Sequence, residues 1–155
     1  MSFEFAWEKC SQKELLEWRI CDLGVSLEGS GVEASIARLY DELERRDLRV
    51  RPHCWLSEEW FSPDGIPGIA IPFYLAHPRL KRLERNQMLE VEGGNHAECL
   101  RLLRHEAGHA MQNAFRLHRR KRWREHFGSS TEPYPDYYRP NPGSRHYVHH
   151  LPHWY

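Results

Sequence analysis

The stretch NHAECLRLLRHEAGHAMQNAFRL, residues 95–117, has the periodicity of one amphipathic helix. Asn95 is a candidate N-cap, and Glu98 lies in the first turn, where a negative charge is favoured. Apolar residues then recur three and four apart, at Leu100, Leu103, Ala107, Ala110 or Met111, Ala114 and Leu117. The pattern predicts a buried helix from about 96 to 120.

Two further helices are predicted in the N-terminal part of the chain, 1–47. Ser11 and Glu14 match a capping box that begins a short first helix before Gly24. After Ser30, apolar residues spaced three and four apart are separated by charged ones. This spacing predicts a second amphipathic helix from about 31 to 46.

The middle of the chain, 48–94, is predicted to form strands and turns. LRVRPHCWL (48–56) alternates in polarity, SPDGIPG (62–68) is rich in turn-forming residues, and IAIPFYLA (69–76) is a dense apolar run. Pro72 restricts this run to an edge strand or a bulge. We therefore expect strands joined by turns.

Two shorter patterns follow, and a proline-rich segment ends the chain. RLKRLERNQ (79–87) predicts a short helix, and the alternation in MLEVE (88–92) predicts a final strand. Five prolines between 133 and 152 are typical of an extended or looping segment. We assign 95–120 to the long helix and 121–155 to a Pro-rich loop.

His105 and His109 carry the chemistry that the sequence predicts. They are four residues apart, so on a helix their side chains leave the same face one turn apart and can converge on one ion. Such a pair suits Zn²⁺, which lowers the pKa of its bound water to about 7. Glu106, beside the first histidine, can accept the proton from that water as general base.

The context of this motif argues for a metal site. With 11 His and 17 Glu in the chain, random placement gives roughly 0.08 H-E-x-x-H motifs, so the match alone is suggestive. It falls inside a capped helix that follows a predicted strand, and the small residues Ala107, Gly108 and Ala110 would permit close packing. The alternative is a His/Glu cluster in a purely structural helix.

A family resemblance points the same way. Four segments carry it: HEAGHA preceded by LLR, WFSPDGIPGIAIPFYLAHPRL and MLEVEGG upstream, and YPDYYRPNPGSRHYVHHLPHWY downstream. Together they resemble the bacterial zinc-binding metallopeptidases, which belong to the HExxH zincin group. The resemblance covers roughly residues 50–155, and only HEAGH is mechanistically specific. It implies that His105 and His109 bind Zn²⁺ and that Glu106 is the general base.

The resemblance also implies an architecture. The expected fold is α+β and zincin-like, a small mixed sheet with an edge strand, packed on the active-site helix, with helices at the N-terminus. The edge strand, at 66–76 or 88–92, would align a peptide substrate by strand addition. The whole chain, 1–155, would then form a single metallopeptidase domain.

The third zinc ligand is not evident from the motif. Metzincins continue H-E-x-x-H-x-x-G-x-x-H, but Gln112 and Phe115 occupy the last two positions, which excludes that subclass. A gluzincin-like third ligand would be an acidic residue on a later helix. Either the chain is a fragment that lacks this ligand, or an internal group replaces it, from among His146, His149, His150 and His153, then Asp136 and Glu132.

The downstream segment also holds candidate oxyanion donors. Tyr138 and Tyr147 could donate a hydrogen bond to a tetrahedral intermediate, as could Tyr134 and Tyr137. Packing in an aromatic loop is the alternative role for each.

A basic run at the end of the long helix, 116–124, gives a second functional hypothesis. Its members are Arg116, Arg119, Arg120, Lys121, Arg122 and Arg124. They complement the C-terminal end of a helix dipole. Alternatively, they bind an acidic partner, and the chain is then a catalytically incomplete zincin-like module.

Composition narrows the remaining possibilities. Lys+Arg and Asp+Glu number 22 each, so no net charge attracts nucleic acid or an anionic membrane. No stretch approaches the roughly 20 apolar residues of a membrane-spanning helix, and no apolar signal segment is evident, which predicts a cytoplasmic protein. We expect a zinc-dependent peptidase acting on peptides or proteins; a zinc hydrolase of non-peptide amides shares the same motif.

Overall fold

The structure, a computed structural model, describes residues 5–129 and 131. The helices and strands of this part are α1 (Gln12–Leu15), α2 (Gly31–Arg45), β1 (His53–Ser57), β2 (Gly68–Pro72), α3 (Pro78–Met88), α4 (His96–Phe115) and α5 (Lys121–Phe127). Short 3-10 helices lie at Ala6–Lys9, Ile20–Asp22, Phe73–Ala76 and Leu117–Arg119. The expected α+β class is confirmed.

Helix α2 forms as its sequence predicts. Ser30 caps it by accepting a hydrogen bond from Val32 N at 3.3 Å, and the apolar residues at Val32, Ile36, Leu39 and Leu43 are buried. Because the periodicity and the cap are both local properties, the prediction from 31 to 46 is confirmed to within one residue.

Helix α1 is shorter than its apolar sequence suggested. The Ser11–Glu14 capping box is present, with Glu14 N donating to Ser11 Oγ and Ser11 N to Glu14 Oε2. However, only Leu15 is buried, and Trp18 and Ile20 beyond it are exposed. A helix that buries one side chain gains too little packing to offset the cost of extending it.

Strand β2 is one of the two strands of the sheet, and one residue outside the sheet bridges to its other side. On one side it pairs in parallel with β1, in the register His53↔Gly68 to Ser57↔Pro72. On its other side Ala70 N donates to Phe61 O at 2.8 Å, and Phe61 N donates to Ala70 O at 3.4 Å. Instead of a mixed sheet, the described residues form two parallel strands with one antiparallel bridge.

The two edge-strand predictions have different outcomes. Within 66–76, residues 68–72 form an edge strand of the two-stranded sheet, so this prediction is confirmed over a shorter range. Residues 88–92 form no strand, because α3 extends to Met88 and ends at Leu89 in the left-handed conformation (φ 68°). Met88 and Leu89 are exposed and only Val91 is buried, so the alternation does not build one apolar face.

The helix prediction of 96–120 is also corrected at its end. α4 ends at Phe115, because Arg116 adopts a left-handed conformation (φ 49°) that a right-handed helix cannot continue. The Pro-rich loop expected from 121 begins with a helix, α5, which ends at Gly128 with φ 83°. The chain divides into two compact units, Met1–Ala114 and Phe115–Tyr155.

One hydrophobic cluster holds the first unit together. It joins Trp7 near the N-terminus, Leu39 of α2, Ile69 and Ile71 of β2, and Leu102 of α4. Each of these side chains is at most 2% exposed, so β2 and α4 are fixed in one core. Within the described residues, no helix is both long and apolar enough to cross a bilayer.

Candidate metal centre

The N-terminus of α4 is capped as the sequence predicts. Asn95 Oδ1 accepts a hydrogen bond from Glu98 N at 3.0 Å, and Asn95 Nδ2 donates to Glu98 Oε2 at 3.3 Å. The buried face of the helix comprises Cys99, Leu100, Leu102, Leu103, Glu106, Ala107 and Ala110. The predicted apolar stripe omitted Leu102 and included Ala114, which is exposed.

Helix α2 fixes the orientation of α4 through two polar contacts. At the start of α4, His96 Nδ1 and Ser35 Oγ are 2.9 Å apart. Two turns later, Arg104 donates from Nε and Nη2 to the two oxygens of Glu42, each at 2.8 Å. The bidentate geometry limits rotation of α4 about its axis.

His105 and His109 converge as their spacing predicts. Their Nε2 atoms are 3.2 Å apart, with ring centroids 4.8 Å apart. An ion bound tetrahedrally at about 2.05 Å from each nitrogen separates the two by about 3.3 Å. The pair therefore has the spacing of two ligands of one zinc ion, which is also that of an N–H···N hydrogen bond between neutral imidazoles.

Glu106 lies beside this pair in a buried environment. Its side chain is 7% exposed, and its Oε1 is 4.0 Å from His105 Nε2. Burial raises the pKa of Glu106, an effect that His109 opposes. Burial also lowers the pKa of His105, and His109 lowers it further. Neutral imidazole is the form that binds a metal, so the environment favours His105 as a ligand with a basic carboxylate beside it.

The described residues bring together two candidate ligands for a metal ion. A catalytic zinc ion usually has three protein ligands and a water molecule. Within residues 5–129 and 131, no group of three or more His, Cys, Asp or Glu side chains is arranged to hold a metal ion. The donor set of His105 and His109 fits zinc in spacing and chemistry but does not complete its coordination.

The other predicted site residues lie outside the described part of the chain. This applies to the candidate third ligands His146, His149, His150 and His153, with Asp136 and Glu132, and to the tyrosines Tyr138, Tyr147, Tyr134 and Tyr137. Their roles stay predictions.

Asn113 is a contact residue that the sequence did not single out. Its Nδ2 donates to Pro63 O at 2.9 Å and to Ile66 O at 3.3 Å, which attaches the turn before β2 to α4. Asn113 follows His109 by four residues, so the turn lies one helical turn from the histidine pair. The i+4 spacing could have placed Asn113 on the histidine face, but its partner, some 50 residues earlier, has no local signal.

Gly108 does not have the packing role that the sequence suggested. It is exposed, and a Cβ added there would meet no atom within 4 Å. It lies instead in a shallow groove of about 290 Å³ between α2 and α4, lined also by Leu39, Arg104 and Met111. Ala107 and Ala110, by contrast, are buried as expected.

Known proteins give no independent assignment. Comparison of the chain with protein-family models, curated proteins and solved structures found no match. The candidate site is therefore argued from its own geometry.

Proposed function

We propose that this chain is a zinc-dependent metallopeptidase whose metal is held by His105 and His109. The observation that carries the proposal is the 3.2 Å separation of their Nε2 atoms, on a helix that buries Glu106 beside them. A structural helix would gain little from two exposed imidazoles facing each other. Two ligands poised for one ion account for the arrangement directly.

Each of the three side chains has a distinct task in this proposal. Zn²⁺ supplies a water of lowered pKa and polarises the scissile carbonyl. His105 and His109 bind through Nε2, and their shared helix face fixes the angle between them. Glu106 accepts a proton as the nucleophile forms and delivers it to the leaving amine; its raised pKa, due to burial, matches that role.

The zincin-like architecture is part of the same proposal. It is supported by β2 and α4 sharing one core and by the antiparallel bridge between Phe61 and Ala70 of β2. Because β2 is paired with β1 on one side and bridged by Phe61 on the other, we assign the substrate-aligning edge to the segment around Phe61.

The test separates metal binding from catalysis. We expect purified protein to contain zinc by elemental analysis and to cleave a protein substrate such as casein. Glu106→Gln should keep the zinc and lose at least about 100-fold in rate, since it removes the general base. His105→Ala and His109→Ala should lose the zinc itself.

Two controls make this outcome specific. His96→Ala removes a histidine from the same helix but away from the pair, and should leave zinc content unchanged. An assay with acetylated amines tests hydrolysis of non-peptide amides. Cleavage that persists in Glu106→Gln would refute the mechanism, and zinc retained by the double His105/His109 variant would refute the metal site.

The basic run supports a second candidate function, binding of an acidic partner. All six of its basic residues are exposed, and within the described residues its one ion pair joins Lys121 and Glu125 at 3.8 Å. Because α4 ends at Phe115, the run lies beyond the helix end and does not simply neutralise it. Charge is also segregated: Met1–Ala114 has 14 basic and 19 acidic residues, Phe115–Tyr155 has 8 and 3.

Charge reversal tests this second function. A labelled oligoglutamate should bind the protein more weakly as salt rises, and the quadruple change of Arg119, Arg120, Arg122 and Arg124 to Glu should weaken binding at least about tenfold. The matched control reverses four exposed basic residues of the other unit, Lys13, Arg45, Arg49 and Arg85. Equal binding by the two quadruple variants would refute the assignment.

A further inference from the structure

The turn that Asn113 attaches to α4 presents two apolar side chains to solvent. Phe61 is 38% exposed and Ile66 is 53% exposed. Both belong to the segment between β1 and β2, which Asn113 attaches to α4 four residues after His109. Exposed apolar groups that flank a reactive site are typical of a binding surface.

The backbone beneath these side chains is held at both ends. Phe61 exchanges two hydrogen bonds with Ala70 of β2, and Ser62 Oγ donates to Gly68 O at 2.7 Å. At the other end, Ile66 O accepts from Gly68 N at 2.9 Å and from Asn113 Nδ2 at 3.3 Å. The two side chains are therefore exposed on a fixed frame and not on a free loop, so a ligand that covers them loses little conformational entropy.

The aromatic ring of Phe61 is also supported from the side. Trp55 contacts it edge to face, with centroids 6.3 Å apart and planes at 85°. Trp55 in turn covers Gly68, whose missing side chain leaves room for the indole. This arrangement keeps the Phe61 ring from collapsing onto the core.

Asn113, which holds the turn, lies on the same helix as the proposed catalytic residues. Asn113 lies four residues after His109 and seven after Glu106, so all three share one helix face. Neighbouring turns of a helix face are about 6 Å apart. If the scissile peptide bond of a substrate lies at His109, the substrate side chain next to that bond can thus contact Ile66.

We propose that Phe61 and Ile66 form a subsite for an apolar side chain next to the scissile bond, and that Asn113 is its positioning residue. The inference rests on the proposed peptidase function and adds the substrate class: peptides with a large apolar residue flanking the cleaved bond. Asn113 acts through the turn and touches no substrate. Exclusion of water between the apolar side chain and the subsite supplies the preference.

Two quenched fluorogenic peptides test the subsite, one with leucine on both sides of its central bond and one with serine there. We expect wild-type protein to prefer the leucine peptide at least about tenfold in kcat/KM. Phe61→Ser and Ile66→Ser should each remove much of this preference, mainly through KM. Leu16→Ser is the matched control, because Leu16 is 52% exposed but lies far from α4 in sequence.

Asn113→Asp tests the positioning role. Aspartate keeps the shape of asparagine but has no N–H to donate to Pro63 O and Ile66 O. We expect the leucine preference to fall as in Ile66→Ser, mainly through KM, while zinc content stays at the wild-type value. An unchanged leucine preference would overturn the role of Asn113.

Binding measurements distinguish failure of the subsite from failure of the peptidase. The affinity of the two peptides is measured by anisotropy with Glu106→Gln protein, with and without Phe61→Ser/Ile66→Ser. A leucine preference that the double change abolishes supports the subsite even if wild-type protein cleaves neither peptide. Affinity that is equal for the two peptides, or a preference that survives the double change, overturns the subsite even if cleavage occurs.

Discussion

Gly108 and Gly68 each have small or apolar neighbours in sequence, but the space around their Cα atoms differs. A Cβ on Gly108 would meet nothing within 4 Å, whereas a Cβ on Gly68 would lie 2.6 Å from the Trp55 ring. The first glycine interrupts a helix without a steric need, and the second makes room for an aromatic side chain. Single-residue substitutions should therefore have opposite effects at the two positions.

We expect Gly108→Ala to raise the free energy of unfolding by about 1 kcal/mol, the difference in helix propensity between the two residues. Gly68→Ala should lower it by about 1 to 3 kcal/mol, because the Trp55 ring must move. Urea denaturation measures both, and each variant is the other's control. Destabilisation by Gly108→Ala would contradict the open space at that position; a loss of cleavage with zinc retained would indicate that substrate uses the groove.

At the scale of elements, the pairing of α2 with α4 depends on Glu42. The hydrogen bond from Arg104, with a further one from Arg38, lowers the pKa of Glu42 to about 2. Its side chain is 12% exposed, although Arg104 is 52% exposed. Because the folded-state pKa lies below the ordinary value of 4.5, the ion pairs stabilise the fold fully above that pH and less as pH falls toward 2.

Glu42→Gln should consequently lower the free energy of unfolding by about 0.5 to 1 kcal/mol at pH 7. The difference from wild type should shrink as pH is lowered below 4.5, since Glu42 of the unfolded chain protonates there and Glu42 of the folded protein follows toward pH 2. Chemical denaturation across this pH range measures it. Asp47→Asn is the control, because the Asp47–Arg49 pair is 88% and 90% exposed and should contribute little. A difference that stays constant with pH would contradict the assignment to Glu42.

At the scale of the whole molecule, the proposed zinc site requires a third protein ligand. The described residues supply His105 and His109, and the four candidate histidines of the C-terminal segment lie outside that part. If one of these histidines completes the site, its substitution should weaken zinc binding much more than substitution of the other three. Removing one of three protein ligands should weaken zinc binding strongly, whereas removing a solvated histidine should not.

His146→Ala, His149→Ala, His150→Ala and His153→Ala should be compared by competition with a chelator of known zinc affinity. We expect one variant to lose zinc at least about 100-fold more readily and the other three to behave as wild type. His118→Ala, outside this segment, is the control. Four variants with wild-type affinity would exclude these histidines as ligands and direct the search to Asp136 and Glu132.

The sequence by itself determined the features that depend on neighbours a few residues away. The caps at Ser11 and Asn95 and the i, i+4 convergence of His105 with His109 follow from local sequence and helix geometry, and the structure has them as expected. Local spacing is sufficient there, because one helical turn brings the interacting groups together. Short alternating runs such as 88–92 were misassigned, because five residues do not distinguish a strand from the end of a helix.

Only the tertiary structure decided what lies beside the histidine pair. Three such contacts are the bridge between Phe61 and Ala70 of β2, the hydrogen bond from Asn113 to Ile66 O, and the packing of Trp55 over Gly68. Each joins segments that are distant in sequence or opposed in the sheet. Hydrophobic periodicity tells which side of an element is buried but not which element covers it. The chemistry of the candidate site is therefore encoded locally, whereas the surface that would select its substrate arises from long-range packing.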